Sequence, residues 1–295
     1  VPMLDMLSHW ILAPLDYGFM RRALVACIAL SLTAPVMGVL LTLRGMSLMS
    51  EPLSHAIMPG VAIAFLLSGF SLSAMMLGGI VAGLVTVGSA SGITLVSGLK
   101  EDAAMASLFL TAMAIGVLLI SLRGSALDLG HVLFGSILAV DTASLMILAT
   151  VTSGVLIVLA AMFRALVVES LDPAFLASQG TSPSWIHGLF MSLVVLSLVI
   201  GFQTLGTLMA VGLMLLPATM ARFWSRRLEG LMAIAIGWSL FSSLAGLLLS
   251  YHAGLPSGPA IILVVGAGYV VSLLIGPYDS LLIRLHTTKH RNASP

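Results

Sequence analysis

Charge is scarce in this sequence. Only 8% of its 295 residues are Asp, Glu, Lys or Arg, and 59% are apolar, whereas soluble domains carry about 25% charge. So little charge cannot cover a water-facing surface, which excludes a soluble globular protein. Lysine is limited to Lys100 and Lys289, and neither falls in the GxxxxGK[ST] pattern whose lysine and backbone amides hold nucleotide phosphates. The chain does not hydrolyse ATP by that route. HExxH and GxSxG are absent as well, which removes the usual signatures of an intramembrane metalloprotease and of a serine hydrolase. The single cysteine, Cys27, lies in an apolar run and can form no internal disulfide; it reads as a small core residue. Asp5, Asp16, Pro2 and Pro14 do not suit a cleaved signal peptide.

What is present is a succession of long apolar runs, with a mean hydropathy of +1.16. A helix crossing a bilayer needs about 20 such residues. Charge-free windows predict spans near 23–43, 52–70, 72–98, 103–122, 142–163, 185–203, 206–221, 230–251 and 259–277. The expected class is therefore an all-α, polytopic membrane bundle of about nine helices, with eight to ten allowed. Residues 1–20 form an extracytoplasmic or interfacial segment, 21–278 the membrane domain and 279–295 a basic cytoplasmic tail. Residues 7–20 and 131–140 are candidates for short interfacial or re-entrant helices.

Cationic residues orient the chain, because cytoplasmic loops are enriched in them. With the 164–184 loop inside, nine of the twelve Lys and Arg residues fall on the cytoplasmic side, and only Arg21, Arg22 and Arg123 fall outside. The basic tail then needs no nucleic-acid partner.

Against this background Arg44–Gly60, RGMSLMSEPLSHAIMPG, stands out. Glu51 and His55 lie at the mouth of a segment that has no Asp, Glu, Lys or Arg from Pro52 to Leu99. Ionisable groups there are costly in lipid and mark ion or substrate paths. Spaced i and i+4, they share one helical face. Carboxylate with imidazole suits zinc, manganese or ferrous iron. Ser50 or Glu51 is placed to cap the helix, with Pro52 in its first turn. Pro59 lacks an N–H, so it should kink the helix and leave the carbonyl of His55 free as a further ligand. Pro217 should do the same to the carbonyl of Leu213. A metal-binding imidazole must be neutral, so transport through such a site should weaken on acidification.

The loop 163–185 carries a second pattern. Asp172 is a good N-cap, Pro173 a good first-turn residue and Gly180 a good stop. Between them Ala174, Phe175 and Ala177 make a short helix that could lie on the membrane surface, as the pattern alone suggests, or, being small and capped, dock into a partner's groove. Weaker polar candidates are His131 and Asp141, placed outside near a path entrance, and Gln203, which would line the path or bond a neighbouring helix. His187 and His252 read as membrane-interface residues. The eighteen methionines read as core filler.

Arg44–Gly60 resembles the signature R-x-M-S-L-M-G-D-x-x-S-H-A-x-x-P-G of permeases in the manganese/zinc/iron-chelate family of ABC importers. Further stretches look similar in the same order: KEDAAMASLF (100–109), LFGSILAVD (133–141), ESLDPAFLASQG (169–180), LGTLMAVGLMLLPATMAR (205–222) and LPSGPAIILV (255–264). The departures are Ser50 and Glu51, where Gly and Asp are usual; Glu keeps the charge but reaches one methylene further. The resemblance implies a type II importer-like dimer, a homodimer or a pair with a related permease, in a bacterial plasma (inner) membrane, with its path on the two-fold axis. It implies two cytoplasmic ATP-binding subunits and an extracytoplasmic metal-binding protein as partners. No permanently bound cofactor is expected; Zn2+, Mn2+ or Fe2+ is cargo. Glu51 and His55 match the family's acid–histidine pair, and 172–179, with Glu169 before it and Gly180 after it, matches its ATPase-coupling helix. A proton-coupled secondary carrier would share the acid–histidine pair but would not need that helix.

Overall fold

The structure, a computed structural model, describes residue 10 and residues 13–69, 71–121 and 140–282. All of its regular elements there are helical. Twelve stretches, eleven α-helical and one 3-10, follow one another as α1 (Gly18–Leu43), a 3-10 turn (Ser47–Met49), α2 (Ser50–Ala56), α3 (Met58–Ser68), α4 (Leu72–Ser97), α5 (Glu101–Ser121), α6 (Thr142–Leu171), α7 (Pro173–Ser178), α8 (Pro183–Leu205), α9 (Thr207–Ala221), α10 (Leu228–Ala253) and α11 (Ser257–Ile275). Eight segments are long and apolar enough to cross a membrane, with Ser47–Ser68 counted as one, and α9 is a shorter apolar helix of 15 residues. The chain is thus an all-α, multi-pass membrane protein.

Most span limits agree with the charge-free windows, and two differ for physical reasons. The window ending at 163 stops short because Arg164 interrupts it, yet α6 continues to Leu171. Arg and Glu are good helix formers, so charge marks where lipid ends and not where the helix ends; Pro173 is what stops it. The window 52–70 proves to be two helices with a break between Ala56 and Met58, two residues before Pro59.

Packing is organised around α1 and α8. Helix α1 contacts α6, α9 and α10, while α8 contacts α4, α6 and α9. Both supply fully buried apolar side chains, among them Leu30, Leu40, Phe190 and Leu198. In lipid such contacts gain little hydrophobic driving force and depend on close fit, which small residues permit. At Gly38 of α1 a Cβ would collide with the backbone carbonyl of Met214 in α9, so this crossing requires glycine. The outward faces of α4 and α6 are apolar and exposed, as at Val96 and Ile157, as expected of surfaces that meet acyl chains. At 15 residues, α9 is about 22 Å long at 1.5 Å per residue, shorter than a hydrocarbon core of about 30 Å. It begins at Gly206, whose φ of +90° turns the chain sharply out of α8, and α8 and α9 form a tight pair.

His131, the 131–140 segment up to residue 139, residues 7–9, 11 and 12 of the 7–20 candidate and the basic tail from residue 283 lie outside the described residues.

Candidate functional site

The 3-10 turn Ser47–Met49 runs directly into α2, with Met49 already in the right-handed helical region. Neither Ser50 nor Glu51 caps the helix, contrary to the sequence expectation, because that turn continues into α2 and no side chain bonds to its first amides. The Ser50 hydroxyl is instead buried without a partner among the described residues. Ser54 donates to the Glu51 carbonyl at 2.8 Å.

Glu51 and His55 fall on one face of α2. Together with Ser54 they line a groove of about 390 Å³ whose other wall is Thr207, Val211 and Leu216 of α9 and Ile262 of α11. Glu51 is exposed and His55 partly buried. The imidazole lies 5.6 Å, centroid to centroid, from the ring of Phe109 on α5, and neither Glu51 nor His55 has a side-chain hydrogen bond or ion pair among the described residues. Carboxylate and imidazole therefore face a largely apolar groove, with no hydrogen-bond or ion-pair partner for either among the described residues. Among the described residues no cluster of three or more His, Cys, Asp or Glu side chains is arranged to hold a metal. Among the described residues one chain therefore offers a carboxylate and an imidazole here, short of the roughly four to six donors that transition metals take from oxygen and nitrogen ligands.

The helix break expected from Pro59 is present, but the carbonyl is not wholly free. Ile57, between the two helices, directs its N–H at the carbonyl of His55, while Val61 N–H bonds the Ile57 carbonyl at 3.3 Å. The break gives the His55 oxygen a nearby amide in place of the one that proline removes. Pro217 is buried inside α9, and α9 runs on through it to Ala221.

The second expected pattern is formed as a cap–helix–stop unit. Asp172 closes α6 by donating its N–H to Val168 at 2.8 Å, and its carboxylate accepts the Phe175 N–H at 2.9 Å. Helix α7 covers Pro173–Ser178, and Gly180 follows with φ +78°. Leu176 is buried against the bundle, whereas Ala174, Phe175 and Ala177 are exposed, Phe175 by 51%.

Asp141 is exposed and caps α6, accepting the Ser144 N–H at 2.9 Å. Bonds from the Ser144 side chain and backbone hold its carboxyl below the usual carboxylate range. A cap is therefore its visible structural job. Gln203, near the end of α8, has a buried Nε2 without a partner among the described residues, so the expected interhelical bond from that nitrogen is not made.

Sequence reasoning missed a charge cluster at the α7 end of the bundle. Arg44 Nη2 lies 2.5 Å from Glu169 Oε2, an ion pair by distance whose angle is poor for a hydrogen bond, since the same oxygen has no bonded donor. Arg44 Nε donates to Ser170 Oγ at 2.9 Å, and the guanidinium stacks 4.0 Å above the Phe190 ring. Burial draws the Arg44 guanidinium below its ordinary range, opposed by Glu169 and then by Glu101. His187, expected at the inner membrane face, also joins this cluster: its Nε2 lies 3.0 Å from Glu101 Oε1 and its Nδ1 3.7 Å from Glu169 Oε1. The available signal was that Arg44, Glu101, Glu169 and His187 all fall at one end of their helices when the spans alternate. His252, by contrast, is exposed and stacks on Trp10 at 3.7 Å.

Comparison with known proteins is consistent over nearly the whole chain. The model of the ABC 3 transport family matches residues 16–276. The manganese import system permease protein ScaB of Streptococcus parasanguinis is 32% identical over 273 residues, covering 92% of this chain and 96% of that protein. A probable iron transport system membrane protein of Haemophilus influenzae is 29% identical over 275 residues, covering 93% and 99%. Among solved structures, PsaBC from Streptococcus pneumoniae in complex with Fab superposes with a TM-score of 0.81 at 30% identity, covering 92% of this chain and 97% of that one.

Proposed function

The chain belongs to the ABC 3 transport family, and from that premise we propose that it is the membrane permease of an ATP-driven importer of divalent transition-metal ions. The observation that carries the reading is the α2 face, where Glu51 and His55, without partners among the described residues, face a largely apolar groove. A divalent ion in hydrocarbon needs its water shell replaced at each step, and few, weak ligands allow it to leave again.

Two donors per chain imply that the ion sees more than one chain. A second copy facing the same groove across a two-fold axis brings the set to about four, which suits these metals. The homodimer supplies symmetry that one chain does not have. Oxygen and nitrogen donors without thiolate accept Mn2+, Fe2+ and Zn2+ alike; the named relatives favour manganese, then iron.

Energy comes from a partner. The chain has no P-loop, and α7, with its exposed Phe175, is the surface on which a cytoplasmic ATPase subunit docks. Asp172, Ala174, Ala177 and Gly180 are exposed beside it, Pro173 opens the helix, and Glu169 lies largely buried behind it. With α7 in the cytoplasm most of the cationic loops lie on the same side, and an extracytoplasmic metal-binding protein delivers the ion to the opposite end, near Asp141. On this reading residues 21–278 are the permease domain.

Uptake in cells without their own high-affinity metal importers tests this. The chain is expressed with its ATPase and binding protein, and Mn2+, Fe2+ and Zn2+ are assayed. Uptake should require the Walker lysine of the ATPase and fail in Glu51→Gln and His55→Ala. Uptake indifferent to the ATPase variant would replace this reading with a proton-coupled carrier.

A further inference from the structure

Arg44 stands at the seam between two working parts. After it, beyond Gly45 and the 3-10 turn, comes α2 with Glu51 and His55. Its side chain, only 5% exposed, is held against the last turns of α6 by Glu169 at 2.5 Å and Ser170 at 2.9 Å. Ser170 in turn donates to the Leu166 carbonyl at 2.6 Å, which fixes the acceptor.

Those turns of α6 lead straight into α7. Asp172 is at once the end of α6 and the cap of α7, so no flexible linker separates them. A displacement of α7 is therefore delivered to Glu169 with little loss. Glu169 reaches Arg44 on one side and His187 on the other, and His187 continues to Glu101 at 3.0 Å. Glu101 opens α5, which packs against α2 and places Phe109 beside His55. Two chains of contacts thus run from α7 to α2, one through Arg44 and one through α5.

Stability does not account for the cluster. Burying ionic groups costs desolvation, and apolar replacements of similar volume are often as stable or more so. What buried ion pairs add is a definite registry between the elements they join.

We infer that Arg44, Glu169, His187 and Glu101 form a latch that transmits the movement of α7 to the α2 segment, with Arg44 and Glu169 as its principal members. The inference rests on the reading of α7 as the ATPase contact and of α2 as the ion path. These are positioning residues, since none of them lines the Glu51–His55 groove.

The test uses the assembled transporter in proteoliposomes, with Mn2+ taken up and ATP hydrolysed measured in the same vesicles. Arg44→Gln leaves Glu169 buried without its nearer cation, with only His187 at 3.7 Å, so the double variant Arg44→Gln/Glu169→Gln, which removes both charges, is measured beside it. Transmission through a latch is a coupling free energy, so the ratio of metal moved to ATP hydrolysed should fall about tenfold in both variants while the complex still assembles and still hydrolyses ATP. A second readout does not require net transport. The one native cysteine, Cys27, is buried, so a Glu51→Cys reporter can be labelled with a membrane-impermeant maleimide. ATP should change its labelling rate in the latched background and leave it unchanged in the double variant.

A double variant that keeps the unaltered ratio and the ATP-dependent labelling overturns the latch and leaves the transport reading standing. So does one in which uptake and hydrolysis fall in proportion. If the complex with an unaltered latch shows no ATP-dependent uptake and its Glu51→Cys reporter no ATP-dependent labelling, the transport reading fails and the latch fails with it.

Discussion

Gly60 of α3 and Gly78 of α4 meet backbone to backbone. A Cβ on either would fall well inside contact distance of the other's carbonyl oxygen, and Ala82 and Ala64 close the gap at 2.6 and 2.9 Å. Gly60 follows Pro59, so this crossing seats α3 just beyond the break that ends the Glu51–His55 helix. Neither glycine can be enlarged unless a backbone moves.

Gly60→Ala and Gly78→Ala should therefore each destabilise the permease by about 1–3 kcal/mol through overpacking. Their thermal midpoints in detergent should drop, and uptake should fall with them. Gly88→Ala on the same α4 has open space around it and should leave both unchanged. Equal behaviour of all three would mean that the close crossing is not made.

At Glu51 the charge should matter more than the reach. Apart from this face the groove is lined mainly by apolar side chains, with Thr207 the exception, so a divalent ion entering it needs a negative group to replace part of its hydration. Glu51→Gln should lower metal uptake by more than about tenfold, the scale of losing one charged ligand contact, whereas Glu51→Asp should keep most of it. A Gln variant whose uptake is unchanged at matched protein level would remove Glu51 from the path.

Phe175 offers a separation of stability from partner binding. Its ring is about half exposed, so Phe175→Ala should leave the thermal midpoint of the isolated permease unaltered. Binding of the ATPase subunit should weaken by about 2 kcal/mol or more if the ring is an interface anchor. Asp172→Ala should act differently. It loses the bond to Phe175 N–H and with it about 0.5–2 kcal/mol of local helix stability, and Asp172→Asn should restore ATPase binding because asparagine caps equally well. Pull-down of the ATPase with each purified variant decides this.

Arg44 and Glu169 should behave non-additively in stability. Truncating one member of a buried pair strands the other, at about 3–5 kcal/mol, while removing both is far milder. Arg44→Gln should thus lower the thermal midpoint more than Arg44→Gln/Glu169→Gln does. Additive losses would show that the two side chains are solvated and independent.

Much of this architecture is a consequence of local composition. Apolar runs of membrane-spanning length between charges define the spans because the backbone in lipid has no partner but itself. Capping at Asp172, the stop at Gly180 and the break before Pro59 are equally local, since each depends on the chemistry of a few adjacent residues. Glu51 and His55 share a face because helical spacing requires it. The departures arise where one element's surroundings are another element. The 3-10 turn makes a cap at Ser50 superfluous, and Ile57 N–H turns to the His55 carbonyl that Pro59 leaves behind. The groove facing Glu51 and His55 exists only because α9 and α11 lie across from α2. The cluster of Arg44, Glu101, Glu169 and His187 joins residues up to 143 positions apart in the sequence, and no periodicity within a helix encodes which charges will share a low-dielectric site. By itself the sequence determined a multi-helix membrane protein with an acid–histidine pair at a broken helix and a capped loop helix. Only the tertiary structure decided what that pair faces and how the loop helix is tied to it, because both depend on side chains brought together by packing between helices remote in the chain.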